Sequence, residues 1–524
     1  MNYRIGIDVG GTHTDSVLLD GNLKCVFKIK VATTKDVSTG INQSVKALLQ
    51  ESKVDPASIT HAMLGTTHCT NAIVERKNLT KVGVIRLGAP ATTAVPPLAG
   101  WPEDILEKIG TNISIVSGGY EYDGRIIANI NEQEVREVCR QYKGKVQSIA
   151  IVGVFSPVNQ DQEKQVAEIV KQELGDDIYL SLSNEIGSVG LLERENATVL
   201  NAALKETVRS VANGFRETLE QEGIKARIYF GQNDGTLMTS EFALEYPILT
   251  IASGPTNSIR GAAHLTGLKD ALVVDIGGTT TDIGVLVNGF PRQSSLAVDI
   301  GSIRTNFRMP DLLSFGLGGG TVIRRNEEGI TIGPDSVGYL LSEKGVIFGG
   351  DTLTTTDVAV KLGKYQFENA RTEAIEHELA VKADRLMMEM LEEAIDRMKT
   401  SQEDVPVILV GGGSILVSSQ LQGVAKVYRP ENYDAANAIG AALGEVSGET
   451  DKVYSLEKKS YEEVIEDAKQ NAIKAAIAAG AAPETIKIVQ MEDIPLAYLP
   501  GNSIHVKVKA AGTLSSEAAS VTRT

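Results

Sequence analysis

The feature that most constrains this chain is a short segment that occurs twice. Residues 8–15 read DVGGTHTD and residues 275–282 read DIGGTTTD, and each segment continues an apolar run typical of a buried strand. A chance match of the fixed positions has a probability of roughly 10⁻⁷ per starting position. We therefore expect an internal duplication of a strand-turn-strand unit, within an α/β protein.

The double glycine in each copy indicates what the turn can bind. Because glycine has no Cβ atom, such a turn brings backbone N–H groups within reach of phosphate oxygens, and the adjacent threonines add hydroxyl donors. A plain hairpin turn is the alternative for either copy taken alone. We predict that the two turns face one another and clamp one polyphosphate. The predicted contacts are Gly10, Gly11, Thr12, Thr14, Gly277, Gly278, Thr279 and Thr280.

One carboxylate precedes each double glycine and another follows it. Asp8 and Asp275 end an apolar strand, and a carboxylate there suits Mg²⁺ or its water ligands, because it cannot bind phosphate directly. Asp15 and Asp282 lie where the second strand begins, and either can orient a water molecule or cap the turn. We predict a Mg²⁺ site at Asp8 and Asp275, with all four aspartates as candidate catalytic residues.

Two further glycine runs follow apolar strands. Residues 410–414 read VGGGS, at a position where backbone can approach a flat nucleoside, although a plain strand-to-helix turn has the same pattern. Residues 316–321 read GLGGGT and follow the second duplicated turn, which favours a place along the same cleft. The predicted contacts are Gly318, Gly319, Gly411, Gly412 and Gly413.

A polar cluster at 65–71 is the candidate substrate site. It lies between a strand-like run and a helical pattern, where the N–H groups of a helix start attract a carboxylate or carbonyl oxygen. Helix capping is the alternative role for any one of these side chains. We expect the nearby His13 and His68 to be structural rather than catalytic. The candidate substrate-binding residues are Thr66, Thr67, Thr70 and Asn71.

Composition excludes several classes of partner. The 524 residues include 51 Lys and Arg against 67 Asp and Glu, and the net charge of −16 argues against nucleic acid or an anionic membrane. The three cysteines show no CxxC spacing, so neither a disulfide framework nor a structural zinc site is indicated. With no signal-peptide pattern and no apolar run of roughly 18 residues, we expect a cytoplasmic protein.

Together, the two turns, the VGGGS run and a small-residue helix near 435–444 resemble the actin, sugar-kinase and Hsp70 superfamily. Other segments resemble the hydantoinase/oxoprolinase family, specifically its ATP-binding A-type subunit. These segments are GTTHCTNAIVERK at 65–77, ENATVLNAAL at 195–204, SGPTNSIRGA at 253–262 and TTTD at 354–357. The resemblance implies an α/β fold with two ribonuclease-H-like lobes around a cleft for ATP and Mg²⁺.

The resemblance and the alternation of strand and helix patterns predict five segments. Residues 1–88 form the first half of lobe I with the first turn, and 89–245 hold the remainder of lobe I with an inserted subdomain. Lobe II, with the second turn and the adenosine-type glycine run, covers 246–449. A small C-terminal α/β region at 450–511 and a disordered tail at 512–524 follow.

The small-residue segment 434–446, DAANAIGAALGEV, predicts a closely packed helix. In the resemblance it is the second hinge between the lobes, and its polar Asn437 is expected at the nucleotide site. A core helix without hinge function is the alternative.

The family resemblance implies an enzyme that opens a cyclic amide, such as a hydantoin, oxoproline or another lactam. The γ-phosphoryl group of ATP is transferred to the amide oxygen, and water attacks the activated carbon. The family also implies an oligomeric complex with a B-type subunit or another operon partner. Two other classes stay open: a small-molecule kinase of the sugar- or acyl-kinase type, and a nucleotide-driven switch or activating ATPase.

Overall fold

The computed structural model describes most of the chain. The described residues are 2–10, 12–32, 37–187, 189–294, 298–307, 309–326, 329–417, 420–457, 459–496 and 502–514. Within them the strands form one nine-stranded, one six-stranded and one four-stranded sheet and two short two-stranded ribbons. The result is an α/β fold with mixed sheets.

The strands follow the apolar runs of the sequence. They are β1 (Tyr3–Val9), β2 (His13–Leu19), β3 (Cys25–Ala32), β4 (Ile59–Thr66), β5 (Val82–Ala89), β6 (Asn112–Ser117), β7 (Ser148–Gly153), β8 (Tyr179–Leu182), β9 (Arg227–Gly231), β10 (Leu237–Thr239), β11 (Ala271–Ile276), β12 (Thr281–Val287), β13 (Phe290–Pro291), β14 (Val298–Ile300), β15 (Ile303–Thr305), β16 (Leu312–Phe315), β17 (Thr321–Asn326), β18 (Gly329–Ser336), β19 (Val405–Val410), β20 (Val424–Tyr428), β21 (Glu445–Ser455), β22 (Lys487–Pro495) and β23 (Ser503–Thr513).

The helices lie between these strands. They are α1 (Val37–Ser52), α2 (His68–Glu75), α3 (Glu103–Ile109), α4 (Glu132–Tyr142), α5 (Asp161–Leu174), α6 (Ser183–Ile186), α7 (Leu191–Ala203), α8 (Lys205–Gln221), α9 (Ser240–Glu245), α10 (Ser253–Thr266), α11 (Leu341–Lys344), α12 (Thr355–Lys361), α13 (His377–Met398), α14 (Ala436–Ala441) and α15 (Tyr461–Ala479). In the described part of the chain, no helix combines the length and the apolar character needed to cross a membrane.

The two duplicated segments form matching hairpins in different sheets. In the nine-stranded sheet, β1 pairs antiparallel with β2 and places Asp8 opposite Asp15, and β4 runs parallel to β1. In the six-stranded sheet, β11 pairs antiparallel with β12 and places Asp275 opposite Asp282, and β19 runs parallel to β11. The shared register explains why the same residue types recur in the two motifs.

The order of strands in the nine-stranded sheet is β22-β23-β21-β10-β9-β4-β1-β2-β3. Its core packs against α1, α8 and α15. The six-stranded sheet has the order β13-β12-β11-β19-β20, with β16 beside β12, and a separate core packs against α12 and α13.

The four-stranded parallel sheet, of order β6-β5-β7-β8, is inserted between α2 and α7. Its strongest link to α7 is a fully buried ion pair, in which the Arg86 guanidinium donates two hydrogen bonds of 2.7 Å to the Glu195 carboxylate. Both charges are therefore satisfied in a part of the core where an unpaired charge would be costly. This contact accounts for the glutamate that begins the ENATVLNAAL segment.

Helices α10 and α14 cross between the two large sheets at very short range. A Cβ atom on Gly261 or on Gly440 would collide with a backbone carbonyl of the other helix. The small residues predicted to allow close helix packing therefore do so, since α14 also lies on Gly6 of β1.

The C-terminal part of the chain returns to the first sheet. Strand β21 pairs with β10, and β23 and β22 follow, so segment 450–511 continues the nine-stranded sheet. Strand β23 runs to Thr513, into the segment predicted to be a disordered tail, and residues 515–524 lie outside the described residues. The helix predicted over 434–446 is wrong at its end, because α14 stops at Ala441.

Candidate functional site

A cavity of about 510 Å³ opens where the two duplicated hairpins meet. Strands β1 to β3 form one side, the β11–β12 turn forms the other, and the starts of α10 and α14 lie between them. Among the residues predicted from the sequence, the cavity is lined by Asp8, Gly10, Thr12, Asp15, Thr67, Asp275, Gly277, Gly278, Thr279, Thr280, Asp282, Gly319, Gly411, Gly412, Gly413 and Asn437.

The two glycine turns have the same internal geometry. Gly10 N–H donates to the carbonyl of His13 at 3.0 Å, and Gly277 N–H donates to the carbonyl of Thr280 at 2.9 Å. The turns also face each other closely, since a Cβ atom on Gly278 would lie 2.6 Å from Cγ2 of Thr12. The structure thus brings together two equivalent turns that are far apart in the sequence.

Three predicted turn residues are not found at the cavity wall. Gly11 lies outside the described residues. Thr14 is fully buried on the opposite side of β2 and its hydroxyl has no hydrogen-bond partner. Gly318 is buried behind the second turn, where a Cβ atom would lie 2.6 Å from the backbone nitrogen of Thr279.

The GLGGGT run supports the second turn from behind. Gly319 N–H donates to the Gly277 carbonyl at 3.0 Å, and Gly320 N–H donates to the Gly278 carbonyl at 2.7 Å. The TTTD segment in turn holds the run, because the Thr356 hydroxyl donates to the Gly319 carbonyl at 2.7 Å.

The third glycine run packs beneath the second turn. A Cβ atom on Gly411 would collide with the Asp275 carboxylate, and one on Gly413 would lie 2.6 Å from the Gly277 carbonyl oxygen. Gly412 has no atom within 4 Å of its Cβ position and lines the open cavity. The run ends in a short 3₁₀ turn over Gly412–Leu416 instead of an α-helix.

Four aspartates converge on the cavity, and burial raises the pKa of each. The pKa of Asp8 rises to about 7, with a further contribution from the charge of Asp15, and the pKa of Asp282 rises to about 6. Burial also raises the pKa values of Asp15 and Asp275. The cavity is therefore a place where negative charge is concentrated and poorly solvated.

Asp8 and Asp275 are connected through side chains that lie between the sheets. The amide nitrogen of Asn437, on α14, donates to Asp8 Oδ2 at 3.4 Å. The hydroxyl of Ser258, on α10, donates to Asp275 Oδ2 at 2.5 Å and also contacts the amide oxygen of Asn437. The helix pair thus links the two metal-site candidates, and Ser258 was not predicted from the sequence.

Lys30 is a second residue that sequence reasoning missed. It lies on β3 directly opposite Asp15 and its ammonium nitrogen is 2.6 Å from Asp15 Oδ1. Lys28, two residues earlier on the same strand face, pairs with Asp434 at 2.6 Å. The alternation of lysines along β3 was a visible signal, because a strand places every second side chain on one face.

Of the four predicted substrate residues, one reaches the cavity. Thr67 precedes α2 in the N-cap position, yet its hydroxyl makes no capping hydrogen bond and instead donates to the Val9 carbonyl at 3.4 Å. The start of α10 lies beside it, since a Cβ atom on Gly254 would be 3.9 Å from Cγ2 of Thr67. Two helix N-termini without side-chain caps therefore meet at this wall.

The other three substrate candidates have different surroundings. The Thr66 hydroxyl is buried and bonds the ring of His68, whose backbone N–H donates to it at 3.2 Å. Thr70 and Asn71 do not line the cavity, and Asn71 is exposed. His68 is thus held by Thr66, whereas His13 lines the cavity with its ring 3.1 Å from the Thr12 hydroxyl.

An aromatic wall, here defined as Tyr339, Phe348 and Phe367, closes the part of the cavity that the second sheet supplies. Leu341 and Ile415 complete this apolar surface. The sequence analysis did not single out these residues because their segments carry no recognisable motif.

The donor set around the cavity limits what it can hold. In the described ranges, no group of three or more His, Cys, Asp or Glu side chains is arranged to hold a metal ion. A cation at Asp8 and Asp275 would therefore need further oxygen ligands from phosphate or water, which is the usual coordination of Mg²⁺.

Two family models match the sequence. The hydantoinase/oxoprolinase N-terminal region matches residues 4–174, and a second model described as hydantoinase/oxoprolinase matches residues 194–394. The two matches together include both duplicated turns and the run at 316–321.

Two curated relatives carry names that describe an activity. The caprolactamase subunit alpha of Pseudomonas jessenii is 27% identical over 389 residues, covering 69% of this chain and 54% of the relative. The acetophenone carboxylase gamma subunit of Aromatoleum aromaticum is 24% identical over 396 residues, covering 68% of this chain and 53% of the relative. The chain spans about half the length of the curated relatives it matches.

The fold is shared with a solved structure. The crystal structure of the ATP-dependent caprolactamase from Pseudomonas jessenii matches with a TM-score of 0.75 and 18% identity, covering 97% of this chain and 87% of that chain.

Proposed function

Because the chain belongs to the hydantoinase/oxoprolinase family, we propose that it uses ATP to open the ring of a cyclic amide such as a hydantoin, oxoproline or another lactam. The observation that carries this proposal is the convergence of two matched glycine turns and four aspartates on one cavity. An amide carbon is a poor electrophile until its oxygen is phosphorylated. Water then attacks that carbon, the ring C–N bond breaks, and the products are the open-chain amino acid, ADP and phosphate.

We further propose that the two large sheets are ribonuclease-H-like lobes around a nucleotide cleft. The equal register of the β1–β2 and β11–β12 hairpins supports this assignment, as does the parallel strand beside each one. The close contact of α10 with α14 supports the proposed hinge, because both helices lie between the sheets.

The nucleotide is assigned to the cavity by the positions that have no side chain. Gly10, Thr12, Gly277, Gly278 and Thr279 would bind the phosphates through backbone N–H groups and hydroxyls. The volume of about 510 Å³ lies in the usual range for a small-molecule site. The open side of Gly412 and the aromatic wall would hold the nucleoside.

Asp8 and Asp275 would hold Mg²⁺ in the proposed site. Carboxylate oxygens are ligands that Mg²⁺ prefers, and phosphates and water complete its coordination. When bound, Mg²⁺ neutralises charge on the phosphates and on the aspartates themselves. Asn437 and Ser258 keep the two carboxylates in place through their hydrogen bonds.

The remaining charged groups have roles in positioning. Asp15 and Asp282 begin the second strand of each hairpin and would orient the attacking water molecule. Lys30 would compensate the charge of Asp15 and provide a donor toward the transferred phosphoryl group, because its ammonium group is partly exposed at the cavity. Positioning and charge neutralisation are what phosphoryl transfer mainly requires of a protein.

The substrate would lie against the wall formed by Thr67 and the first turn of α10. Free N–H groups at the starts of α2 and α10 suit a carbonyl or carboxylate oxygen. We propose a second, B-type subunit or another partner chain as the source of the remaining substrate contacts. The relatives named as caprolactamase and acetophenone carboxylase are subunits, which supports a complex.

A ketone oxygen is the second candidate acceptor, because one relative is named as a carboxylase of acetophenone. The test is to measure ADP and phosphate release by the full chain, with and without a genetically linked partner. The panel contains hydantoin, 5-oxoproline and caprolactam, together with acetophenone plus bicarbonate. The expected result is stimulation by at least one cyclic amide, with the ring-opened product detected by mass spectrometry.

Other results would replace the proposal by one of its alternatives. Accumulation of a stable phosphorylated product without ring opening would identify a small-molecule kinase. Nucleotide hydrolysis that responds to a partner protein but to none of the small molecules would identify a switch.

A further inference from the structure

Exposed aromatic side chains are concentrated at one place in this molecule. Among the described residues, the large aromatic side chains classed as exposed are Tyr339, Phe348, Tyr365, Phe367 and Tyr461. The first four lie in one segment of the second unit, and Tyr461 lies on the distant helix α15. Burying an aromatic ring in the core is favourable, so a group of rings left open to solvent indicates a binding surface.

The rings support one another in a continuous surface. The centroids of Phe348 and Phe367 are 5.4 Å apart in an edge-to-face arrangement, and those of Tyr365 and Phe367 are 4.9 Å apart. The three residues of the aromatic wall line the cavity, whereas Tyr365 packs behind Phe367. The wall is therefore suited to a flat ring system that stacks on it.

The polar groups near the wall are as informative as the rings. Among the described residues that line this part of the cavity, the hydrogen-bonding side chains are the hydroxyls of Tyr339, Ser342 and Thr356. A hydroxyl both donates and accepts, so it bonds equally well to the amino group of adenine or to the carbonyl oxygen of guanine. No carboxylate, amide or guanidinium from the described residues at this wall is placed to distinguish them.

We infer that the aromatic wall holds the nucleotide base by stacking, so that the protein accepts purine nucleoside triphosphates in general and not ATP alone. This inference rests on the proposed function, because it concerns the base of the nucleotide assigned to the same cavity. Stacking tolerates different bases, since every base has a π-face. Strong discrimination requires a site that hydrogen-bonds one ligand and leaves a polar group unpaired with the other.

The experiment compares dissociation constants for ATP, GTP, ITP and inorganic tripolyphosphate, by titration calorimetry on the full chain with Mg²⁺ present. For the unaltered protein, the three nucleotides should bind within about 5-fold of one another and more tightly than tripolyphosphate. Tyr339→Ala should weaken all three nucleotides, each by roughly 5- to 150-fold, and leave tripolyphosphate unchanged. Tyr339→Phe keeps the ring and should retain nucleotide affinity.

The matched control is Tyr461→Ala, which removes an equally exposed aromatic ring far from the cavity and should change no affinity. A preference for ATP over GTP of 100-fold or more would overturn the inference and leave the proposed function standing. Unchanged nucleotide affinity in both Tyr339→Ala and Phe367→Ala would also overturn it. If neither the nucleotides nor tripolyphosphate bound, the proposed function itself would fall, and this inference with it.

Discussion

At the scale of single residues, the glycines of the site have two different explanations. Gly411 adopts a φ of 80° and its Cβ position is blocked by Asp275, so the fold itself requires glycine there. Gly277 is different, because the nearest atom to its Cβ position is the Thr280 carbonyl oxygen at an ordinary 3.4 Å. A side chain at 277 is tolerated by the fold but occupies the proposed place of a phosphate.

Replacing Gly277 by valine should therefore separate binding from folding. We expect Gly277→Val to weaken nucleotide affinity by at least about 10-fold, because a branched side chain prevents the approach of phosphate to the backbone N–H groups. Calorimetric titration with ATP and Mg²⁺ measures the effect. Gly21→Val, at a turn with no atom within 4 Å of the Cβ position, is the control. Equal affinity in the Gly277 variant and the unaltered chain would remove the turn from the nucleotide site.

Neutralising a metal-site candidate should reduce turnover more than nucleotide binding. We expect Asp275→Asn to lower the Mg²⁺-dependent release of phosphate by about 100-fold or more, as for other preorganised charge contacts. A coupled phosphate assay over a range of Mg²⁺ concentrations measures this. Asp176→Asn, on an exposed loop, controls for the loss of one charge. Activity within a factor of two of the unaltered chain would exclude the role of Asp275.

The sequence predicted those site residues that belong to a local motif. The paired aspartates and glycines carry their chemistry within eight consecutive positions, so pattern alone brings them to attention. Lys30 and Ser258 depend on tertiary placement, through the register of β3 on β2 and the crossing of α10 over the cavity. Tyr339 was missed for the same reason, since an exposed ring has meaning only after its neighbours are known.

At the scale of elements, the contact between α10 and α14 is the closest helix packing at the site. We expect Gly440→Ala to lower the free energy of unfolding by about 1–3 kcal/mol, because the added methyl group collides with the backbone carbonyl of Asn257. Urea titration followed by circular dichroism measures the loss. Gly21→Ala should stay within about 0.5 kcal/mol of the unaltered chain. Equal stability of the two variants would show that the helices can move apart freely.

Most strands were predictable because apolar runs bounded by glycine or polar turns define them. The end of α14 was not, because the small-residue pattern continues past the point where the helix stops. Gly444 adopts a φ of 80°, which turns the chain from the helix into β21. The pairing of β21 with β10 was equally hidden, since strand pairing between distant segments leaves no local mark in the sequence.

At the scale of the whole molecule, a buried ion pair fastens the last strand to the first sheet. Lys509 Nζ on β23 lies 2.7 Å from Asp234 Oδ2, and both side chains are buried. Burial alone raises the pKa of Asp234, but the Lys509 charge and the hydroxyls of Ser447 and Thr236 outweigh burial and lower it to about 2. The pair therefore couples closure of the sheet to the protonation of one carboxylate.

This coupling predicts how stability depends on pH. Because the pKa of Asp234 is lower in the folded state than the unfolded value of about 4, its contribution is complete above pH 4 and is lost as the pH falls toward 2. We expect Asp234→Asn to cost roughly 3–5 kcal/mol at pH 7, since Lys509 is left buried without its closest partner. The difference from the unaltered chain should shrink between pH 4 and pH 2, as measured by urea unfolding. A difference that is constant over this range would contradict the assignment.

The return of the chain to its first sheet also sets an order of events during synthesis. Strand β10 ends at Thr239 and its neighbour β21 begins at Glu445, so a ribosome adding 5–20 residues per second makes the partner roughly 10–40 s later. All strands of the six-stranded sheet lie between these two points in the chain and can pair in the meantime. The nascent protein therefore carries a finished second unit beside an unfinished first one. The short edge at β10 is the surface that a chaperone would have to protect until translation reaches the C-terminal strands.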